Sequence, residues 1–199
     1  MVSMGVTLAS QSASRAAILR GAGVTFDTAS PGVDEAAAKA SLLAEGATPR
    51  DVADALAELK AVKVSRSRGG LVIGADQTLD LAGALYDKAE TVAEARERLR
   101  TFRGKRHRLH AAVVVARDGK PIWREVDTTR LTMREFTDEF LEGYLARNGE
   151  AVLSSVGCYQ LEGEGAQLFE AIEGDYFSIL GLPLIGLLDL LRRYGALAT

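Results

Sequence analysis

Two turn signals constrain this fold more than any other feature. Ala82-Gly83 lies within residues 78–86, and Asp118-Gly119 separates strand-like residues 109–116 from an alternating stretch at 121–133. Short turns of this composition close antiparallel hairpins. Elsewhere, strand-like and helix-like segments alternate. Such a chain builds a mixed sheet with helices packed on it, not a purely parallel one.

The helices announce their starts. An apolar run at 6–9 meets Ser10-Gln11-Ser12, and Ser12 is placed to cap a helix that stops at Gly21 or Gly23. Val33-Asp34-Glu35 leads into an Ala-rich helix. Thr48-Pro49-Arg50-Asp51 combines a hydroxyl cap, a first-turn proline and an acid, and Val52, Leu56, Leu59 and Val62 then recur at helical spacing with Lys60 and Lys63 on or beside the stripe. Thr91 and Glu94 read as a capping box. Thr137 starts a helix that ends at Asn148-Gly149, and Pro183 starts the last one. Residues 168–172 and 176–180 read as strands turning at Gly174-Asp175. The chain is expected to form one domain over 1–199, since no linker interrupts it.

The apolar run Leu71-Val72-Ile73-Gly74-Ala75 ends on Asp76-Gln77-Thr78. A polar turn is one reading; a strand end that pushes an acid into a cleft is the other. Strand, hydroxyls and helix N-terminus at 6–15 form an anion-binding layout, because first-turn N–H groups lack partners. Cations recur at Arg15, Lys60 and Lys88 and within 103–108. Carboxylates stand at Glu35, Asp76, Asp80, Asp87 and Glu162. Several cations with two or three acids suit a metal-bound polyphosphate. Each element also has an ordinary reading as a solvated charge, a cap or a dipole-stabilising acid.

Composition excludes other chemistry. A net charge of −3 and 6% aromatic residues argue against stable nucleic-acid binding. One cysteine, Cys158, and two histidines make zinc improbable; any metal is expected on carboxylate oxygens, as Mg²⁺ or Mn²⁺ is. His107 and His110 are expected on one face of a strand start, and Cys158 in the apolar interior. The first residues lack a cationic head and long apolar core, and no run reaches the roughly 20 residues of a membrane span. The chain is read as soluble and cytoplasmic.

Six motifs in order resemble those of the Maf family: Leu8-Ala9-Ser10-Gln11-Ser12, Val33-Asp34-Glu35, Leu59-Lys60-Ala61, Gly74-Ala75-Asp76-Gln77, Tyr86-Asp87-Lys88 and Gly181-Leu182-Pro183-Leu184. The resemblance implies a curved mixed β-sheet flanked by helices, with two lobes and a cleft, similar to inosine triphosphate pyrophosphatases. It implies a nucleoside triphosphate pyrophosphatase that uses a divalent cation and works as a homodimer on non-canonical or surplus nucleotides. Asp76 looks like the catalytic acid, assisted by Gln77 and Lys88. Ser10, Ser12, Arg15, Lys60 and Lys88 would grip the triphosphate, and Glu35 would share the metal with Asp76. Residues 103–108 would rim the cleft or touch the phosphate tail. A non-catalytic nucleotide-binding regulator of cell division is a second role associated with the family.

Two local features qualify the resemblance. The family continues Ser-Pro-Arg-Arg where this chain has Ser12-Ala13-Ser14-Arg15, so one arginine and the proline are missing. Members that prefer pyrimidines, dTTP or UTP, read Gly-x-Gln-Gly where this chain has Gln160-Leu161-Glu162-Gly163; the stretch 161–169 looks more like the 7-methyl-GTP branch. A carboxylate at Glu162 can accept from guanine N1–H and its 2-amino group, and it favours the positive charge of a methylated base.

Overall fold

The computed structural model describes residues 4–198. The first three residues, part of the N-terminal stretch read as lacking a secretory signal, lie outside the described residues, as does Thr199. The described chain forms seven strands, β1 (Val6–Ala9), β2 (Asp27–Thr28), β3 (Leu71–Leu81), β4 (Ala84–Tyr86), β5 (Arg106–Arg117), β6 (Lys120–Met133) and β7 (Phe169–Glu173). Its helices are α1 (Ala13–Gly21), α2 (Glu35–Ala44), α3 (Pro49–Ser65), α4 (Val92–Phe102), α5 (Asp138–Asn148), α6 (Tyr176–Ile179) and α7 (Leu184–Arg193).

The sheet order is β2-β1-β3-β5-β6-β7, with β4 also pairing with β3. Strands β1, β2 and β3 run parallel to one another, and every pairing from β3 onward is antiparallel. Both hairpins form where the turn signals lie. Ala82 and Gly83 have φ of 54° and 88°, and Asp118 and Gly119 have 50° and 75°. Positive φ at both central residues is what a type I′ two-residue hairpin requires. The sheet is therefore mixed, open and flanked by helices.

β3 corrects one expectation. It does not stop at Asp76; it continues to Leu81, hydrogen-bonded to β5 along nearly its whole length. What changes at Asp76 is the other edge. β1 accompanies β3 only as far as Gly74, and β4 joins only at Leu79. Asp76, Gln77 and Thr78 occupy the gap, where one strand edge lacks a neighbour. A cleft thus opens at the middle of a central strand.

Two apolar cores share one face of the sheet. Leu71, Ile73 and Ala75 of β3 pack with α1 and α7, whereas Leu79 packs with α4, α5 and Met133. Strand side chains alternate faces, so Gln77 is the residue left between the two cores. This division makes the two lobes. On the opposite face, small residues of α3 (Ala53, Ala57 and Ala61) lie against Ala112, Val114 and Ala116 of β5. Gly74 permits this contact, because a Cβ there would fall 2.2 Å from the Ala57 carbonyl oxygen.

Helix caps follow the sequence. Ser12, Thr48 and Thr137 each accept a hydrogen bond from a first-turn N–H, and Thr48 with Asp51 completes a capping box. Thr91 caps α4, but Glu94 accepts from the Glu90 N–H instead of closing the box. Residues 176–180 are not a strand. Asp175 accepts from the Ser178 N–H at 2.7 Å, an N-cap that turns the chain into the single-turn α6. His107 and His110 are three apart on β5, so they point to opposite faces. Cys158 is buried, as expected. No helix is long and apolar enough to cross a membrane among the described residues.

Candidate active site

A cleft of about 1010 Å³ lies between the lobes, room enough for a nucleotide. At its centre, α3 and β3 present Lys60 and Asp76 to each other. The Lys60 ammonium donates to Asp76 Oδ1 at 2.7 Å and lies 3.0 Å from Glu35 Oε1 at the start of α2. Lys60 and Asp76 are buried, at 4% and 8% exposure, while Glu35 is exposed. A lysine with its ammonium out of bulk water is stable because two carboxylates meet it.

The N-terminus of α1 forms one wall. Ser10 Oγ accepts from the Ser12 N–H at 3.2 Å and from Arg15 Nη1 at 3.3 Å. Arg15 Nε donates to the Gly181 carbonyl at 2.9 Å, which ties α1 to the segment leading into α7. Burial lowers the pKa of the Arg15 guanidinium, against the opposing pull of Asp76 and Glu35; arginine nonetheless stays cationic. Ser14, where the family carries arginine, donates its hydroxyl to the Leu180 carbonyl at 3.0 Å. It therefore reinforces the same tie and leaves the first turn with one guanidinium.

Gln77 is fixed by what it donates to. Its amide nitrogen contacts the Ser178 and Ile179 carbonyls, both at 2.9 Å. Two acceptors use both amide hydrogens and set the orientation, so the remaining Oε1 can only accept. It can receive a hydrogen bond from water but cannot donate to a phosphate oxygen.

The far end of the cleft is a loop with little regular structure. Ser155, Gly157, Tyr159 and Glu162 line it. Gly157 is required there, because a Cβ would fall 2.2 Å from the Tyr159 ring. The Tyr159 hydroxyl is 2.7 Å from His107 Nε2. Burial raises the Tyr159 phenol and lowers the His107 imidazole to about 4, so both stay neutral near pH 7. Glu162 and, after β4, Lys88 are exposed on the cleft wall.

The structure thus gathers Ser10, Ser12, Arg15, Glu35, Lys60, Asp76, Gln77, Lys88 and Glu162 around one cavity. It does not bring residues 103–108 there. Arg103 pairs with Asp138, Arg106 with Glu173, and Arg108 approaches Asp80. β5 begins at Arg106, so most of the expected loop is strand or strand approach that leaves the cleft behind. Sequence reasoning missed Lys39, which lines the cleft and pairs with Asp87. Its one signal was the spacing Glu35-x-x-x-Lys39, which places both on the same side of α2.

The cleft is also less cationic than expected. Arg15, Lys39, Lys60 and Lys88 face Glu35, Asp76, Asp87, Glu90 and Glu162. With an excess of acid, it suits an anionic ligand only if a cation accompanies that ligand. Among the described residues no group of three His, Cys, Asp or Glu side chains could hold a metal alone. Two carboxylates completed by ligand phosphates is the usual setting for Mg²⁺, so the donor set fits that kind of site.

Comparison with known proteins gives the family. A nucleoside triphosphate pyrophosphatase of Caulobacter vibrioides is 67% identical over 98% of both chains. A 7-methyl-GTP pyrophosphatase of Brucella suis is 52% identical over 94% of this chain and 95% of its own. One of the same name from Rhizobium meliloti is 49% identical over 96% of each. Residues 5–194 match the family described as Maf-like protein, and with the six motifs meeting at one cleft, the chain belongs to the Maf family.

Proposed function

We propose that this cleft hydrolyses 7-methyl-GTP between its α- and β-phosphates, releasing the nucleoside monophosphate and pyrophosphate with the help of a divalent cation, Mg²⁺ or Mn²⁺. The coarser part, a hydrolase that acts as a nucleoside triphosphate pyrophosphatase, rests on family membership and on relatives so named across the whole chain. The observation that carries the mechanism is the Asp76–Lys60–Glu35 cluster in a cleft walled by the capped N-terminus of α1.

Glu35 and Asp76 would hold the cation, which when bound supplies charge neutralisation at the phosphates. Lys60 engages one lone pair of Asp76 Oδ1; the carboxylate's remaining lone pairs would serve the cation and take a proton from water. Gln77, on the opposite face of β3, holds the α6 turn through its amide nitrogen and presents Oε1 to the cleft as an acceptor. The water oxygen bonds to the α-phosphorus, the bond to the bridging oxygen breaks, and the electron pair leaves with pyrophosphate. The Ser12 turn and Lys88 hold the phosphates in line, and Arg15 braces the serine turn. Glu162 faces the base end, where a carboxylate suits a cationic methylated guanine. Three relatives named 7-methyl-GTP pyrophosphatase support that choice. A homodimer acting in the cytoplasm belongs to the same proposal, supported by the family resemblance.

The test is a panel of nucleotides, including 7-methyl-GTP, GTP, UTP and dTTP, with Mg²⁺ or Mn²⁺, read by pyrophosphate and orthophosphate release. Pyrophosphate should appear, fastest from 7-methyl-GTP, and Asp76→Asn should abolish it while leaving the circular dichroism spectrum intact. Full turnover by that variant, or binding of nucleotides without turnover by the native chain, overturns the mechanism. The second outcome would favour the regulatory role.

A further inference from the structure

We infer that Lys39 is a phosphate-binding residue that exchanges its ion pair with Asp87 for the polyphosphate when substrate binds. The inference rests on the anionic substrate proposed above. Of the four cations on the cleft wall, two are already committed. Arg15 is tied to Gly181 and Ser10, and Lys60 is tied to Asp76 and Glu35. Lys88 has no ion pair among the described residues, and Lys39 has only Asp87, a carboxylate whose side chain is 61% exposed. An ion pair so open to water is weak. Phosphate oxygens in a partly enclosed cleft are stronger partners for the ammonium.

The two ends of this pair differ in freedom. The Asp87 backbone is pinned, because its carbonyl accepts from Arg98 Nη1, which also donates to the Val156 carbonyl at 2.9 Å. Lys39 rides on α2, a helix with no buried residue, anchored through Glu35 to Lys60 and through the preceding Gly32 carbonyl to Lys63. Nothing in the packing of either core requires a lysine at 39 or an acid at 87. Glu35 and Lys39 are one turn apart, so the helix that offers a carboxylate to the cation site also offers an ammonium to the phosphates beside it.

Charge logic gives the test. Lys39→Ala and Asp87→Ala break the same ion pair, so a purely structural strap predicts that both shift binding in the same direction. A phosphate ligand restrained by a competing carboxylate predicts opposite shifts. Calorimetric titration of each full-length variant with Mg²⁺-pyrophosphate should show Lys39→Ala weakening binding about tenfold, Lys39→Arg keeping most of it, and Asp87→Ala strengthening it. KM for the nucleotide should follow the same order with kcat changed little, and the double variant should resemble Lys39→Ala. Same-direction shifts, or unchanged pyrophosphate affinity in Lys39→Ala, overturn the inference. Thermal unfolding of each variant checks that it is folded. Pyrophosphate binding needs no turnover, so a native chain that fails to hydrolyse nucleotides sinks the proposed function and leaves this test readable.

Discussion

Lys60→Met removes the ammonium that Asp76 and Glu35 share and keeps the length of the side chain. Breaking a buried pair by deleting one partner costs about 3–5 kcal/mol when the other charge is left fully buried. Here the two acids differ. The Glu35 side chain is 46% exposed and rehydrates, while that of Asp76 is 11% exposed and faces a cleft that water enters. The expected loss therefore falls at or below the bottom of that range, roughly 2–3 kcal/mol. For a chain of this length that corresponds to a fall of about 5–10 °C in Tm. Asp76→Asn in the same background removes the stranded charge, so the double variant should recover most of the loss. Urea unfolding of the two single variants and the double, read as a mutant cycle, measures the coupling. Additive effects, or a Lys60→Met protein as stable as the native one, would refute the view that Lys60 is buried only because the acids meet it.

Two further outcomes follow from the site. His107 is buried and its folded pKa is about 4, below the 6.5 of an exposed imidazole. The unfolded chain therefore binds the proton first: the group has no effect above pH 6.5, and it destabilises by up to about 3 kcal/mol as pH falls to about 4. Denaturant titrations of native protein and His107→Gln between these limits should show a smaller loss in the variant; parallel curves would remove His107 as the cause. Glu162→Gln should raise KM for 7-methyl-GTP about tenfold and leave that for UTP nearly unchanged, measured by pyrophosphate release. Equal changes for both nucleotides would mean that Glu162 does not read the base.

Much of the scaffold was legible because its signals are local. Thr48-Pro49 and Asp118-Gly119 depend on neighbours a few residues away, and each appears where read. The stripe from Val52 to Val62 forms a helix but only half of its buried face, since Val52 and Leu56 are buried while Leu59 is 40% exposed and Lys60 turns inward beside it. Asp76 was legible as an acid at the end of an apolar run, but its setting was not. The strand continues, and the gap beside it arises from where β1 stops and β4 starts. Residues 176–180 alternate as a strand would, yet one side-chain cap at Asp175 outweighs that pattern over a single turn. The cationic stretch at 103–108 misled for the opposite reason. Its charges are real, but their partners, Asp138, Glu173 and Asp80, come from distant parts of the chain. Lys39 left only its spacing from Glu35 as a signal, because only the folded chain brings Asp87 to it.

The mid-strand position of Asp76 has a consequence for how such a protein can change. An acid on a loop could wander whenever its loop was altered; this one is held by the ladder to β5 and by the glycine contact that seats α3 on β3. The acid to which the proposed mechanism assigns the proton transfer is thereby insulated from its surroundings. The 154–162 loop, which lines the cleft without touching the Asp76–Lys60–Glu35 cluster, is freer to diverge. New base preferences can accumulate at that periphery over evolutionary time while the hydrolytic machinery stays in register.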